Sequence, residues 1–514
     1  MRIKILDCTL RDGGYYTNWD FNQDLAAQYF KAFNNLPVDY LEIGYRSNPQ
    51  REYLGEYFYC PVYVLENARS ISKKKLAVML NEKDVQPEAV DRLLAPCRGL
   101  VDLIRIAVDP QHLLRALKVA EAVKQMGFEV AFNVMYMSKW KKDPRFLDGL
   151  GQIDGIADYL YIVDSYGGVY PSDVKDTINL VKERTSCPLG FHGHNNMELA
   201  LINSLTARDH GAAIIDSTVT GMGRGAGNLK TELLLVSLST ESNLKIDFNA
   251  LGQVVDGFEK LRKEHEWGTN LPYMISGANS LPQKDVMDWV THRSYSFNSI
   301  IQALQNQHQG VEDNEKLGEF KASARKETAV IIGGGPNAAL HHKAIKEFIG
   351  RKESICIIHA SSKNAAQYAD AKVDQYFCLV GNEGHRLERI FDNLSAFRGK
   401  GVLPPYPRKM GTYVPQSLRS KCQELAAITF TDQLKDSHTV LALQTALETG
   451  ARTIYLVGYD GYQDSTITQL EKQLSEENEM TFKTFTAHTK IPLKALTPTN
   501  YHGVEINSVY AELI

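Results

Sequence analysis

LIRIAVDPQHLLRALKVAEAVKQMGFEVAFNV, residues 103–134, contains a strand, an amphipathic helix and a second strand. The flanking runs LIRIAV (103–108) and EVAFNV (129–134) are aliphatic and β-branched, while QHLLRALKVAEAVKQMG (111–127) repeats its apolar positions every three to four residues. A helical crossover between two strands makes them parallel neighbours. The same unit recurs on either side. Upstream lie IKILD (3–7), YLEIG (40–44) and LAVML (76–80), and downstream YLYIVD (159–164), PLGFHGH (188–194) and AAIIDSTV (212–219). Eight strands in about 240 residues match the size of a (β/α)8 barrel, a TIM barrel, whereas a doubly wound open sheet more commonly carries fewer. The fold class expected for residues 1–240 is therefore α/β, a closed barrel.

Beyond the barrel the strand signal stops. Residues 241–308 read as a helical extension, with FEKLRKEHEWGTNLPYMISG and DVMDWVTHRSYSFNSIIQALQNQ as helices. Residues 309–326 are charged and poor in large apolar side chains, as in a linker. A second α/β pattern opens at 327: strand, glycine turn and helix in ETAVIIGGGPNAALHHKAIKEFI, a strand in SICIIHAS (354–361), then helix and strand in DSHTVLALQTALETGARTIYLVGYDGY (436–462). Residues 327–514 thus form a Rossmann-like α/β domain.

The 514 residues carry 57 Lys+Arg against 61 Asp+Glu, a net charge of −4 that leaves no polycationic surface for nucleic acid. No stretch reaches the roughly 20 apolar residues of a membrane span. Seven scattered cysteines without a CxxC pair suit reduced thiols and a cytoplasmic location. Homodimerisation through the helices after 241 stays open.

The chemistry gathers where barrel strands end. His192 and His194 lie two apart at the end of the seventh strand, so both side chains project to one face, which in a barrel can be the interior at its catalytic rim. Two imidazoles so placed can grip one divalent cation. Asp12, just after the first strand, and Asn228, beyond the eighth, are the oxygen ligands that barrel closure brings to the same mouth. Two His, one Asp and one Asn suit Mn²⁺ or Mg²⁺ first, then Co²⁺ or Zn²⁺. Gly221, Gly223, Gly225 and Gly227 alternate before Asn228 and allow close backbone approach. Arg11 beside Asp12 is a cationic partner for a carboxylate or a developing enolate oxygen. Glu42, Arg46 and Arg105 are further polar positions at or near strand ends, open to substrate binding or to mutual salt bridges.

LDCTLRDGG (6–14), VDSYGG (163–168), GFHGHNN (190–196) and GMGRGAGN (221–228), in this order, resemble the metal-dependent lyases and aldolases of the DRE-TIM metallolyase superfamily, above all the 4-hydroxy-2-oxovalerate-type pyruvate aldolases. The resemblance spans about residues 1–235. It implies that Asp12, His192 and His194 bind the metal, with Asn228 as a further ligand, that Arg11 steadies an enolate oxygen, and that Ser165 contacts the substrate carboxylate. It also implies a histidine base shortly after Arg-Asp-Gly, where this chain has Tyr15 and Tyr16. The lyases' glycine-loop cysteine is absent too, since Arg224 follows Gly223. Tyr15 and metal-bound hydroxide are both candidates for the proton transfer; a tyrosine hydroxyl is a weak base at neutral pH, so Tyr15 needs the metal or Arg11 to lower it.

In the C-terminal domain, VIIGGGPNAA places Gly333 and Gly335 between strand and helix, where backbone N–H groups can cradle phosphate. Asp460, ending a strand in GYDGY, could face the same ligand. This pattern resembles the Rossmann-like domain of bacterial sialyltransferases and related polysaccharide proteins, with Asn337 in place of a serine, and implies a nucleotide or nucleotide sugar. The expected activity is a class II carbon–carbon lyase: an aldolase joining or releasing pyruvate, or a related 2-oxo acid, and an aldehyde, which the second domain suggests is sugar-derived. A Claisen-type acyl-CoA/2-oxo acid synthase and a nucleotide-sugar-binding or glycosyltransferase protein with an inactive barrel are the alternatives.

Overall fold

The computed structural model describes residues 3–514 except 52, 243, 293–296, 311–315, 382, 392–396, 409–411, 436 and 463–468. Its contacts divide the chain into two units, Met1–Asp288 and Trp289–Ile514.

The first unit is a closed barrel of eight parallel strands in sequential order. They are β1 (Lys4–Asp7), β2 (Tyr40–Tyr45), β3 (Lys75–Asn81), β4 (Leu103–Val108), β5 (Glu129–Val134), β6 (Tyr159–Asp164), β7 (Leu189–Gly193) and β8 (Ile214–Ser217). Closure is made by β1 against β8, with Leu6 beside Asp216 and Asp7 beside Ser217. Side chains alternate along each strand. Ile104, Ile106 and Val108 of β4 belong to the large apolar shell under the surrounding helices, whereas Leu103 packs with Leu6, Tyr40, Ala131, Tyr161 and Ile214 in a separate cluster. Along these strands the alternation assigns Glu42, Arg105, Asn133, Tyr161, His192 and Asp216 to the same inward face. Gly190 leaves room for Tyr161, whose ring a Cβ there would meet at 2.6 Å.

The helical extension divides between the two units. The helix Phe248–His265 lays Ala250, Leu251, Val254 and Phe258 into the barrel's shell, Phe258 edge-on to Tyr29 of the helix Gln23–Phe33. The helix Leu271–Ala278 lies over the rim where the strands end: the Asn196 side-chain amide donates to the Tyr273 carbonyl at 3.0 Å and to Gln283 at 2.8 Å. Residues 289–308 belong to the second unit.

That unit holds a wholly parallel sheet in the order β13-β12-β11-β10-β9-β14-β15-β16. Its strands are β9 (Thr328–Ile332), β10 (Ile355–His359), β11 (Asp374–Cys378), β12 (Lys400–Leu403), β13 (Cys422–Glu424), β14 (Thr453–Val457), β15 (Leu493–Ala495) and β16 (Glu505–Ile506). Ala329, Ile331, Cys356 and Ile358 pack with the buried helix His438–Glu448. Val330, Ile332, Ile355 and Ile357 pack with Ile345 and Phe348 on the opposite face. The segment expected as a linker (309–326) is partly built into this unit: Phe320 is buried, and its N–H donates to the Glu424 carbonyl at 2.7 Å along the edge strand. Its positions 311–315 lie outside the described residues.

Candidate active site

β1 runs through Cys8 into the helix Thr9–Thr17, which carries Arg11, Asp12 and Tyr15. Asp12 and His192 approach across β8, which separates β1 from β7, with Oδ2 3.8 Å from Nε2. The two histidine rings meet edge-on with centroids 4.9 Å apart. Each has its Nδ1 committed. His192 Nδ1 lies 2.8 Å from Asp216 Oδ2, and His194 Nδ1 lies 2.7 Å from the Asp164 carbonyl. A carboxylate and a carbonyl can only accept, so both Nδ1 atoms carry hydrogen, and Nε2 is the nitrogen of each ring left to present a lone pair to a cation. Burial, then the neighbouring His192 ring, pushes His194 down to about 3, which keeps it neutral.

Asn228, bridged to His194 at the end of the glycine loop, donates from Nδ2 to Asp12 Oδ2 at 2.7 Å. That bond fixes the amide, and its Oδ1 is left buried without a partner. Burial opposes ionisation of Asp12, but Arg11, the imidazoles and the Asn228 amide outweigh it and hold Asp12 below the ordinary carboxylate range. Two imidazole lone pairs, one carboxylate and one orphaned amide oxygen form a donor set that fits a divalent cation. Cys8, His192 and Asp216 also bring ligand-type atoms within 4.8 Å of one another. Asp216 Oδ2, however, already accepts from His192 and Arg105, and burial pushes the Cys8 thiol well up, so it stays protonated and points to the Ser217 carbonyl at 3.5 Å. The set at the rim is His192, His194, Asp12 and Asn228, with Asp12 also accepting from Arg11 and Asn228.

Beneath it runs a buried ionic network. Glu42 Oε2 accepts from Arg11 Nε at 2.9 Å and Arg105 Nη1 at 2.7 Å. Arg105 also donates to Asn133 Oδ1 at 2.9 Å and to Asp216, and lies over the Tyr161 ring. Arg105 and Glu42 are fully buried and salt-bridged to each other, the second of the two roles the sequence left open, and they support Arg11 and Asp216 from below. Arg46 is engaged differently. Its guanidinium bonds the carbonyls of Tyr59, Cys60 and Leu93 and ties loops together.

Ser165 stays at the rim, where its Oγ accepts from the Tyr136 N–H at 2.8 Å and keeps its own hydrogen to donate. Tyr15 packs edge-on to Trp19. The cation nearest to Tyr15 is one that the sequence reading passed over: the Arg224 guanidinium, 4.1 Å from the centre of its ring. Tyr16 turns away, its hydroxyl donating to the Gly225 carbonyl at 3.1 Å. Sequence reasoning also missed Asp216, although its two-residue spacing from Ile214 put it on the inward face.

In the second unit Gly333, Gly335 and Asp460 come together, because β9 and β14 are neighbours. The Gly335 N–H donates to the Gly458 carbonyl at 2.8 Å, and Asp460 Oδ2 accepts from the Asn337 N–H at 3.0 Å. A Cβ on Gly335 would meet Asp460 Oδ2 at 2.6 Å, so glycine serves the close approach of two turns.

The mouth of this eight-stranded barrel thus brings two imidazoles, a carboxylate and an amide oxygen together, and comparison with known proteins gives its class. The HMGL-like family profile matches residues 93–256. The 4-hydroxy-2-oxovalerate aldolase of Geobacillus genomosp. 3 is 30% identical over 245 residues, 46% of this chain and 70% of that protein. The oxaloacetate decarboxylase of Mycobacterium tuberculosis is 26% identical over 319 residues, 60% of this chain and 92% of that protein. The crystal structure of the N-terminal domain of a candidate aldolase from Bacteroides vulgatus is 58% identical, with a TM-score of 0.56, covering 59% of this chain and all of that domain. The chain belongs to the HMGL-like family, the DRE-TIM barrels, whose aldolases use a divalent metal. Among the described residues no helix is long and apolar enough to cross a membrane, and all seven cysteines are buried and free.

Proposed function

We propose that the barrel is a divalent-metal aldolase that forms or cleaves a carbon–carbon bond through the enolate of pyruvate or a related 2-oxo acid. The observation that carries this reading is the pair of Nε2 lone pairs, fixed by Asp216 and the Asp164 carbonyl, facing Asp12 and the unpartnered Asn228 Oδ1. A cation held there, Mn²⁺ or Mg²⁺ first, supplies the Lewis acidity that acidifies protons next to a 2-oxo group. The chain's own residues do the rest. Ser165 donates its hydroxyl hydrogen to the substrate carboxylate. Arg11, anchored by Glu42, places positive charge where the enolate oxygen develops. Tyr15 moves the proton: in the cleavage direction its ionised oxygen takes the hydrogen of the 4-hydroxyl, the C3–C4 bond breaks toward the enolate, the aldehyde leaves, and the proton passes to C3 of the enolate to give the 2-oxo acid. The rim helix Leu271–Ala278 limits water at the mouth.

The test is exchange of pyruvate methyl hydrogens in D2O, followed by proton NMR with Mn²⁺ and then with EDTA. Exchange that needs metal and disappears in His194→Ala supports the reading; no exchange with metal bound removes pyruvate as the enolate former, and the same null result with 2-oxobutanoate removes the reading.

Decarboxylation of a 2-oxo diacid is the second reading. The tyrosines at positions 15 and 16 favour it, because loss of CO2 leaves the same enolate without a base to take a hydroxyl proton. Release of CO2 from oxaloacetate, measured beside the exchange, separates the two.

For the second unit we propose a nucleotide or nucleotide-sugar site, which would make the barrel's aldehyde sugar-derived. The support is the position of Gly333, Gly335 and Asp460 between β9 and β14, where strand order reverses and open α/β sheets bind ligands. Calorimetry with CMP, UDP and GDP forms tests it, and no heat with any of them removes it.

A further inference from the structure

The barrel mouth holds two cations that the chemistry above does not use. Arg224 rises from the glycine loop between Gly223 and Gly225, part-buried, and lies over the Tyr15 ring. The loop is pinned at and just after it: the Tyr16 hydroxyl and the Gly268 N–H donate to the Gly225 carbonyl, and the Gly227 N–H donates to the carbonyl of Arg224 itself at 3.1 Å. Gly225 and Gly227 take φ of 64° and 78°, a backbone that a β-substituted residue rarely adopts. Arg224 is thus held out into the mouth by a fixed turn. Lys139, after β5, donates to the Tyr166 hydroxyl at 2.7 Å and lies over the Tyr136 ring. Tyr136 feels both cations and reaches Ser165 through its N–H.

The groups around Arg224 are Tyr15, Tyr45, Tyr136, His194 and, further in, Asp12. Asp12 is already paired with Arg11 and Asn228. Among the described residues no carboxylate lies within ion-pair distance of Arg224 or Lys139; their polar partners are tyrosines. A part-buried guanidinium set over a tyrosine ring with no carboxylate at ion-pair distance lacks its counter-charge, and at a catalytic mouth the ligand is the remaining source of one.

Resting on the aldolase reading, we infer that Arg224, assisted by Lys139, recognises an anionic group, carboxylate or phosphate, at the far end of the aldehyde partner. The substrate class is then an aldehyde acid or a phosphorylated aldehyde, joined to the 2-oxo acid at Ser165 and the metal ligands. The same cations count against the leaving CO2 of a decarboxylation being the group at Arg224, because a carboxylate held by a guanidinium is stabilised against loss.

The test uses the full chain with Mn²⁺ and two aldehyde pairs: propanal against succinic semialdehyde, and glyceraldehyde against glyceraldehyde 3-phosphate. The expected result is a kcat/KM for one anionic member about 10- to 100-fold above its neutral counterpart. That ratio collapses in Arg224→Gln and is largely kept in Arg224→Lys. Which pair shows it tells carboxylate from phosphate. Equal use of neutral and anionic aldehydes, or an Arg224→Gln protein slowed equally on both, overturns the inference and leaves Arg224 a structural partner of Tyr15. Calorimetric titration of succinate and of inorganic phosphate into the wild type and Arg224→Gln needs no turnover. If pyruvate exchange fails but one anion binds in an Arg224-dependent way, the aldolase reading falls and the anion site stands. If exchange succeeds and neither anion depends on Arg224, the anion site falls alone.

Discussion

His192 Nδ1 and Asp216 Oδ2 are 2.8 Å apart in a fully enclosed contact, and the same oxygen accepts from Arg105. Burial works against a charge on Asp216, but Arg105 and the His192 bond outweigh it and hold the carboxylate below its usual range. A charged acceptor fixes the tautomer of His192 and raises the basicity of the nitrogen left for the cation. Asp216→Asn keeps the shape and weakens that push. Metal affinity, measured by competition with a fluorescent chelator, should fall about 10- to 100-fold, while circular dichroism reports an intact fold. Unchanged affinity would mean that Asp216 serves only Arg105.

Glu42 compensates two buried guanidiniums, Arg11 and Arg105, through one oxygen. Glu42→Gln should therefore destabilise by about 3–5 kcal/mol, the cost of breaking a buried pair. Urea unfolding of the triple variant Glu42→Gln/Arg105→Met/Asp216→Asn should show a smaller loss than Glu42→Gln alone, because the guanidinium left short of a partner is removed together with the other carboxylate that pairs with it. Equal or additive losses would show that the carboxylate, not the pairing, supplies the stability.

The barrel was legible because its strands are buried on both faces and so read as unbroken apolar runs. YLYIVD, expected at 159–164, is the strand Tyr159–Asp164, and PLGFHGH loses one residue at each end. In the second unit KGVL, CQE and LKA escaped notice, since three or four residues give no period to count. His192, His194, Asp12 and Asn228 could be set around one mouth from strand alternation and closure alone. The fate of the charged positions could not. Whether Arg105 meets substrate or salt bridge depends on Asp216, 111 positions away on β8, and Arg46 is taken by loop carbonyls whose return no local pattern announces. Arg224 was visible only as a missing cysteine; its role follows from what surrounds it in space.

Asp7 ends β1 and accepts from Thr9, Tyr29 and Thr231, bonds that tie the first strand to the two helices that follow it and to the helix Thr231–Ser242 after β8. Burial dominates over these bonds and raises it to about 6. The folded state therefore holds this proton more tightly than the unfolded chain does. Its contribution is fully present below the unfolded value near 4 and is lost as pH rises through about 6, by up to about 3 kcal/mol. Wild-type stability relative to Asp7→Asn, from urea unfolding at pH 4.5 to 7.5, should decline across that window and then level. A flat difference would mean that the three hydroxyls keep Asp7 ionised throughout.

Gly168 and Gly277 are packed backbone to backbone, so that a Cβ on Gly168 would overlap the Gly277 carbonyl oxygen, and a Cβ on Gly277 would meet Asn196 at 2.7 Å. This contact seats the helix Leu271–Ala278 on the VDSYGG loop that carries Ser165. The loop itself is held from inside, because the Asp164 carboxylate accepts from the N–H groups of Gly168 and Val169. A clash at Gly168 should therefore displace the helix and leave the loop in place. Gly168→Ala should push the helix away from the rim and admit water. Fluorescence quenching of Trp267 by acrylamide, a residue only 3% exposed, should rise, and pyruvate exchange should slow by about 10-fold or more, in line with the cost of misplacing a positioning element. Gly277→Ala should give the same pair of effects from the other side, since both substitutions open one contact. If either variant slows exchange with Trp267 still shielded, the loop and not the helix is what the glycines protect.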